Sequence, residues 1–147
     1  MEMAKAVLKR ENIKLNVPLS TMEEGIRYTG GILVDNGYVD AGYVDKMLER
    51  EGMASTFMGN SLAIPHGTED AKANVLETGI SVVTVPEGID FGSGNIAKIL
   101  IGIAGKNNEH LEILSNIAIV CSEEENIDKI LNATSEDEIM DLFSEVS

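Results

Sequence analysis

Apolar and polar positions alternate over Ile13-Lys14-Leu15-Asn16-Val17, the period-two mark of a short strand. Ser20-Thr21-Met22-Glu23 then has the form of a capping box. The helix it opens places Met22, Ile26, Thr29 or Gly30, and Leu33 on one face and stops at Asn36-Gly37. Asp40 is positioned to N-cap a second helix, whose apolar stripe is Tyr43, Val44, Met47 and Leu48 and whose stop is Gly52. Thr56-Phe57-Met58 and Leu62-Ala63-Ile64 form short strands around a turn at Gly59-Asn60. A longer β segment runs from Gly79 to Val85 and ends at Pro86-Glu87-Gly88. Ala97 to Ala104 is almost wholly apolar, as a central strand covered on both faces must be. Asn107 or Asn108 caps the next helix, with Leu111, Leu114, Ile117, Ala118 and Cys121 at helical spacing. A short helix over Asn126 to Leu131 follows. The capping box Ser135-Glu136-Asp137-Glu138 opens the last one, with Ile139, Leu142, Phe143 and Val146 turned inward.

Helices alternate with strands, which predicts an α/β layered fold. The 147 residues fit a single domain over 1–147, with no repeat or linker, and suffice for one substantial core. Aromatics make up only 4% of the chain, so that core rests on aliphatic residues. The formal charge of −14 argues against nucleic acid and against an anionic membrane surface, and suits a basic protein partner. Cys121 is the only cysteine; it reads as a small core residue in a reducing compartment. No signal-peptide pattern opens the chain, and its longest apolar run, around Ile96 to Ala104, is too short to span a bilayer; a cytoplasmic location is expected.

The two histidines carry the chemistry. His66 follows Leu62-Ala63-Ile64-Pro65 and precedes Gly67-Thr68. Pro65 fixes its own φ and holds Ile64 extended, while Gly67 permits a sharp turn and leaves room beside the ring. His66 is thereby held at a strand end, where sites gather in α/β sheets. The backbone N–H groups of Gly67 and Thr68 and the Thr68 hydroxyl are candidate anion donors. His110, in Asn107-Asn108-Glu109-His110, falls in the first turn of a helix, where an anion is favoured. A neutral imidazole is a nucleophile, and two at adjacent strand ends can share one site. Glu69, Asp70 and Glu109 leave a histidine–carboxylate metal site open as an alternative. There is no Gly-x-Ser-x-Gly elbow, Walker loop or dinucleotide glycine fingerprint.

Glu51, then Met58-Gly59, then Leu62-Ala63-Ile64-Pro65-His66-Gly67 resembles the phosphorylation-site signature of the mannitol/fructose-type enzyme IIA proteins of the bacterial phosphoenolpyruvate-dependent sugar phosphotransferase system. Gly37 through Glu51, Pro86-Glu87-Gly88 with Phe91-Gly92, and Ile101 through His110 resemble its mannitol branch, so the likeness runs from about Leu8 to Phe143. It implies one domain with a mixed, mostly parallel sheet of about five strands flanked by helices. It also implies that His66 accepts a phosphoryl group from the phosphohistidine of the carrier protein HPr and donates it to a cysteine of a sugar-specific enzyme IIB, with mannitol the expected sugar. His110 resembles the family's auxiliary histidine, and Arg50 falls where the mannitol branch has an arginine near the phosphate. Neither ATP nor a bound metal is required, because the incoming phosphohistidine is already activated. An apolar ring including Phe57, Met58 or Phe91 is expected to exclude water. A regulatory protein that signals its phosphorylation state is the second function the resemblance allows.

Overall fold

The structure, a computed structural model, describes residues 7–106 and 109–143, apart from the side chains of 69, 72 and 110. Its strands are β1 (Ile13–Lys14), β2 (Phe57–Gly59), β3 (Leu62–Ala63), β4 (Gly79–Asp90) and β5 (Ile96–Ala104). They form one sheet in the order β1-β4-β5-β3-β2. β1 pairs with β4 and β3 with β5 in parallel, while β2/β3 and β4/β5 are antiparallel. The helices are α1 (Met22–Asp35), α2 (Gly42–Met53), α3 (Glu109–Cys121), α4 (Glu124–Leu131) and α5 (Glu136–Leu142), with 3-10 turns over Arg10–Asn12 and Glu69–Asn74. The expected α/β class and mixed five-stranded sheet are what the chain forms.

β5 explains the layering. Ile99, Ile101 and Ile103 point into one core, under α3, α4 and α5, with Ile113, Ile117, Cys121, Ile130 and Phe143. Ala97, Leu100 and Ala104 point into the other, under α1 and α2, with Ile26, Leu33, Tyr43 and Met47. A strand at the centre of three layers has little room for polar residues, hence its almost wholly apolar run from Ile99 to Ala104. Each isoleucine buried there contributes roughly 1.5–3 kcal/mol.

Local signals hold with shifts of one or a few residues. The first capping box forms at Thr21 and Glu24, not at Ser20 and Glu23. Gly37 takes the left-handed conformation that ends α1, at φ 82°. Asp40 lies two residues ahead of α2; its Oδ1 accepts from the Gly42 N–H at 3.0 Å and from Asn74 Nδ2 at 2.8 Å. The β2/β3 turn is centred on Asn60 and Ser61, both at positive φ. β4 continues past Pro86 to Asp90 through a register shift between Thr84 and Ile89. α4 begins two residues before Asn126, at Glu124. The Ser135–Glu138 box opens α5 as expected. The cap expected at Asn107 or Asn108, and Val146, lie outside the described residues. Among the described residues, no helix is long and apolar enough to cross a membrane.

Candidate functional site

Because β3 and β5 run parallel, the segments that leave them emerge at the same end of the sheet. The pairing carries on beyond β3: His66 bridges to Ile103, whose N–H donates to the Pro65 carbonyl at 2.9 Å. His110 is the second residue of α3, the helix that follows β5. Its side chain lies outside the described residues, but Leu111 and Leu114 of the same helix line a cavity with His66. The fold thus brings the two histidine-bearing segments together.

The His66 ring is oriented by its own strand. Nδ1 lies 2.8 Å from the carbonyl oxygen of Ile64. A carbonyl only accepts, so Nδ1 carries the hydrogen, and the neutral ring then has its lone pair on Nε2. Pro65, which has no N–H, separates the two partners and keeps the backbone extended.

Tyr43, on α2, holds the next residue. Its hydroxyl accepts from the Gly67 N–H at 2.9 Å and donates to the Ile103 carbonyl at 2.7 Å. Burial pushes this phenol up to about 12, against the opposing pull of the Gly67 N–H. The Gly67 N–H is therefore spent inside the protein and is not the phosphate donor expected of it. The glycine is required for space: a Cβ there would sit 2.6 Å from the Tyr43 ring. Sequence reasoning placed Tyr43 only in an apolar stripe. The available signal was its hydroxyl, which when buried needs partners.

Arg50, in the last turn of α2, lines the same cavity. One guanidinium nitrogen donates to the Ala54 carbonyl at 2.7 Å, which anchors a group that has five N–H donors in all. The Thr68 hydroxyl donates to the Asp70 carboxylate, whose other oxygen lies 3.4 Å from Lys46 Nζ. That hydroxyl, then the lysine charge, holds the Asp70 carboxyl below its ordinary range. Thr68 and Asp70 both line the cavity.

The cavity measures about 600 Å³ and is open on one side. Its apolar wall comes from Met53, Ala54, Val75, Leu111 and Leu114. Phe57, Met58 and Phe91 do not line it: Phe91 is buried in the core under α1 and α2, and Phe57 packs against that core. Met53 and Leu111 are 72% and 61% exposed, so the rim is apolar and open to a partner surface. Among the described residues, no group of three or more histidine, cysteine or carboxylate side chains is placed to hold a metal ion. Of the proposed ligands, Glu109 accepts from the Thr78 hydroxyl and Asp70 is engaged as above. Cys121 is buried among α3 and α4 residues, and burial raises its thiol to about 12, so it is a core residue and not a nucleophile.

The family described as "Phosphoenolpyruvate-dependent sugar phosphotransferase system, EIIA 2" matches residues 6–146. The chain is 59% identical over 141 residues to the mannitol-specific phosphotransferase enzyme IIA component of Bacillus subtilis, covering 96% of this chain and 99% of that one. It is 58% identical over 145 residues to the corresponding component of Geobacillus stearothermophilus, covering 99% and 100%. Among solved structures, it matches a complex of enzyme IIA and phosphorylated enzyme IIB for mannitol from Escherichia coli, with a TM-score of 0.87, 39% identity, and coverage of 94% of this chain and 97% of that one.

Proposed function

Because the chain belongs to the phosphoenolpyruvate-dependent sugar phosphotransferase system EIIA 2 family, we propose that it is, over residues 1–147, a cytoplasmic phosphocarrier for mannitol uptake. In this reading the Nε2 lone pair of His66 attacks the phosphorus of a phosphohistidine on HPr. A P–N bond forms at His66 as the donor's P–N bond breaks, and the donor imidazole leaves with the electron pair. In the second step the thiolate of a cysteine on a mannitol-specific enzyme IIB attacks the same phosphorus, and the bond to His66 Nε2 breaks. Both steps need in-line approach and compensation of charge on the equatorial oxygens. Arg50 supplies fixed positive charge beside His66, and His110, in the first turn of α3, takes the auxiliary role that the family resemblance implies. The Thr68 segment forms the remaining polar wall. The apolar rim excludes water once a partner covers it, which slows hydrolysis of the phosphohistidine.

The observation that supports this reading is the Nδ1 bond to Ile64, which favours a lone pair on Nε2, in an open, apolar-rimmed cavity. The test is incubation with phosphorylated HPr followed by enzyme IIB and mannitol. The expected product is an acid-labile, alkali-stable phosphate on His66, with mannitol phosphate forming downstream. His66→Ala is expected to abolish labelling, and His110→Ala to permit it while slowing onward transfer. Labelling of His66→Ala at the normal rate overturns the assignment. Labelling without transfer to any sugar-specific enzyme IIB would move the protein to the regulatory role.

A further inference from the structure

The Ile64 carbonyl that orients His66 is itself held by a chain of bonds that ends on a buried carboxylate. Glu51 lies in the last turn of α2 and is 7% exposed. Its Oε2 accepts from the Thr56 N–H at 2.9 Å and its Oε1 from the Thr56 hydroxyl at 2.6 Å. The Thr56 carbonyl accepts from the Ile64 N–H at 3.1 Å. The Ile64 carbonyl then accepts from His66 Nδ1. Each link fixes the next residue, from helix to edge hairpin to imidazole.

A carboxylate is a costly choice for the first link. It is buried, and it sits at the negative end of a helix dipole, where an acidic group is disfavoured. Among the described residues no lysine or arginine lies within ion-pair distance of it, so its compensation comes from Thr56 alone. What Thr56 holds is the strand entering the site: its two neighbours Ser55 and Phe57 lead into β2, and its carbonyl takes the one backbone donor that sets the pitch of Ile64.

We propose that Glu51 is a positioning residue for phosphoryl transfer: through Thr56 and Ile64 it holds the hydrogen of His66 on Nδ1 and the lone pair on Nε2. The proposal rests on the phosphocarrier reading for its consequence, but its first readout does not. Without the Glu51 anchor the Thr56 segment relaxes, the Ile64 carbonyl loses its aim, and the ring populates both neutral tautomers. Phosphoryl transfer then slows because the attacking nitrogen is no longer presented in one orientation.

The experiment compares wild type, Glu51→Ala, Glu51→Gln and Thr56→Val. The ¹⁵N shifts of the His66 ring in the unphosphorylated protein report the tautomer ratio. Wild type and Glu51→Gln are expected to hold the Nδ1–H form, since an amide can still accept from the Thr56 N–H and donate to its hydroxyl. Glu51→Ala is expected to show a mixture of the two forms. With phosphorylated HPr at saturation, Glu51→Ala is expected to be about tenfold slower or more, at unchanged KM for HPr, with Glu51→Gln close to wild type. If Glu51→Ala does not fold, Thr56→Val, which removes one of the two bonds to the carboxylate, is expected to move the tautomer ratio the same way. An unchanged ratio in the folded variant, or a rise in KM alone, overturns the proposal. Failure of wild type to be phosphorylated would instead overturn the phosphocarrier reading and leave the tautomer result standing.

Discussion

Tyr43 is the residue on which α2, β5 and the His66 loop converge. Its hydroxyl has both a donor and an acceptor partner, the Gly67 N–H and the Ile103 carbonyl. Tyr43→Phe keeps the ring that fills the space beside Gly67 and removes only the hydroxyl, so the Gly67 N–H and the Ile103 carbonyl lose the group that ties both to α2. The expected loss is about 1–3 kcal/mol, read as a lower urea midpoint with an unchanged m-value. A stability equal to wild type would show that the hydroxyl does not brace the site. The contrast with His66 shows what a sequence discloses. Pro65-His66-Gly67 is a local device whose three residues act on one another, so it can be read from their order. Tyr43 acts on residues 24 and 60 positions away, and nothing in its own neighbourhood announces either partner. Glu51 lay within the recognised signature, yet its role depends on a carbonyl that only the hairpin brings within reach.

At the scale of elements, the same boundary separates local from cross-strand information. Ser20-Thr21-Met22-Glu23-Glu24 contains two overlapping capping boxes, and the backbone can adopt only one. It adopts the second because Glu24 Oε1 then accepts from the N–H groups of both Ser20, at 3.0 Å, and Thr21, at 3.1 Å. Pro86 and Gly88 read as the end of β4, but they sit where the ladder with β5 changes register and a missing N–H costs nothing. Thr21→Ala is expected to destabilise the protein by about 1 kcal/mol in thermal unfolding, by removing the hydroxyl that caps the Glu24 N–H. The caps also have an acid limb. Backbone N–H groups of Ser20 and Thr21 hold Glu24 below its ordinary 4.5, and those of Thr134 and Ser135 do the same for Glu138. A carboxyl lowered on folding stabilises above its ordinary value, and that contribution is lost as pH falls through the folded one. Glu24→Gln is therefore expected to flatten the decline of stability below pH 4.5; an unchanged acid limb would separate the cap from it.

The whole molecule carries a matching limit on the alkaline side, to which Tyr43 in one core and Cys121 in the other contribute. Tyr43 lies in the core under α1 and α2, and Cys121 in the core under α3 and α4. Burial raises the phenol from 10.0 and the thiol from 9.0, each to about 12. In the unfolded chain both lose their protons at the ordinary values, while the folded protein keeps them, so above those values the native state binds more protons and stability falls with rising pH. The contribution is complete below pH 9, where neither group ionises in either state. It declines first through Cys121 and then, from pH 10, through Tyr43 as well, until both ionise in the folded protein near pH 12. Because the two groups lie on opposite faces of the sheet, their effects should add. Urea unfolding from pH 8 to pH 11 is expected to show Cys121→Ala with a shallower slope from pH 9 and Tyr43→Phe with wild-type slope until pH 10. The double variant should show a shallower slope than either single variant, with its lower starting stability set by the cavity and the lost hydroxyl. If instead Cys121→Ala leaves the slope from pH 9 to 10 unchanged, the thiol ionises as readily in the fold as outside it, and the packing of α3 against β5 must admit water to a position that this geometry seals.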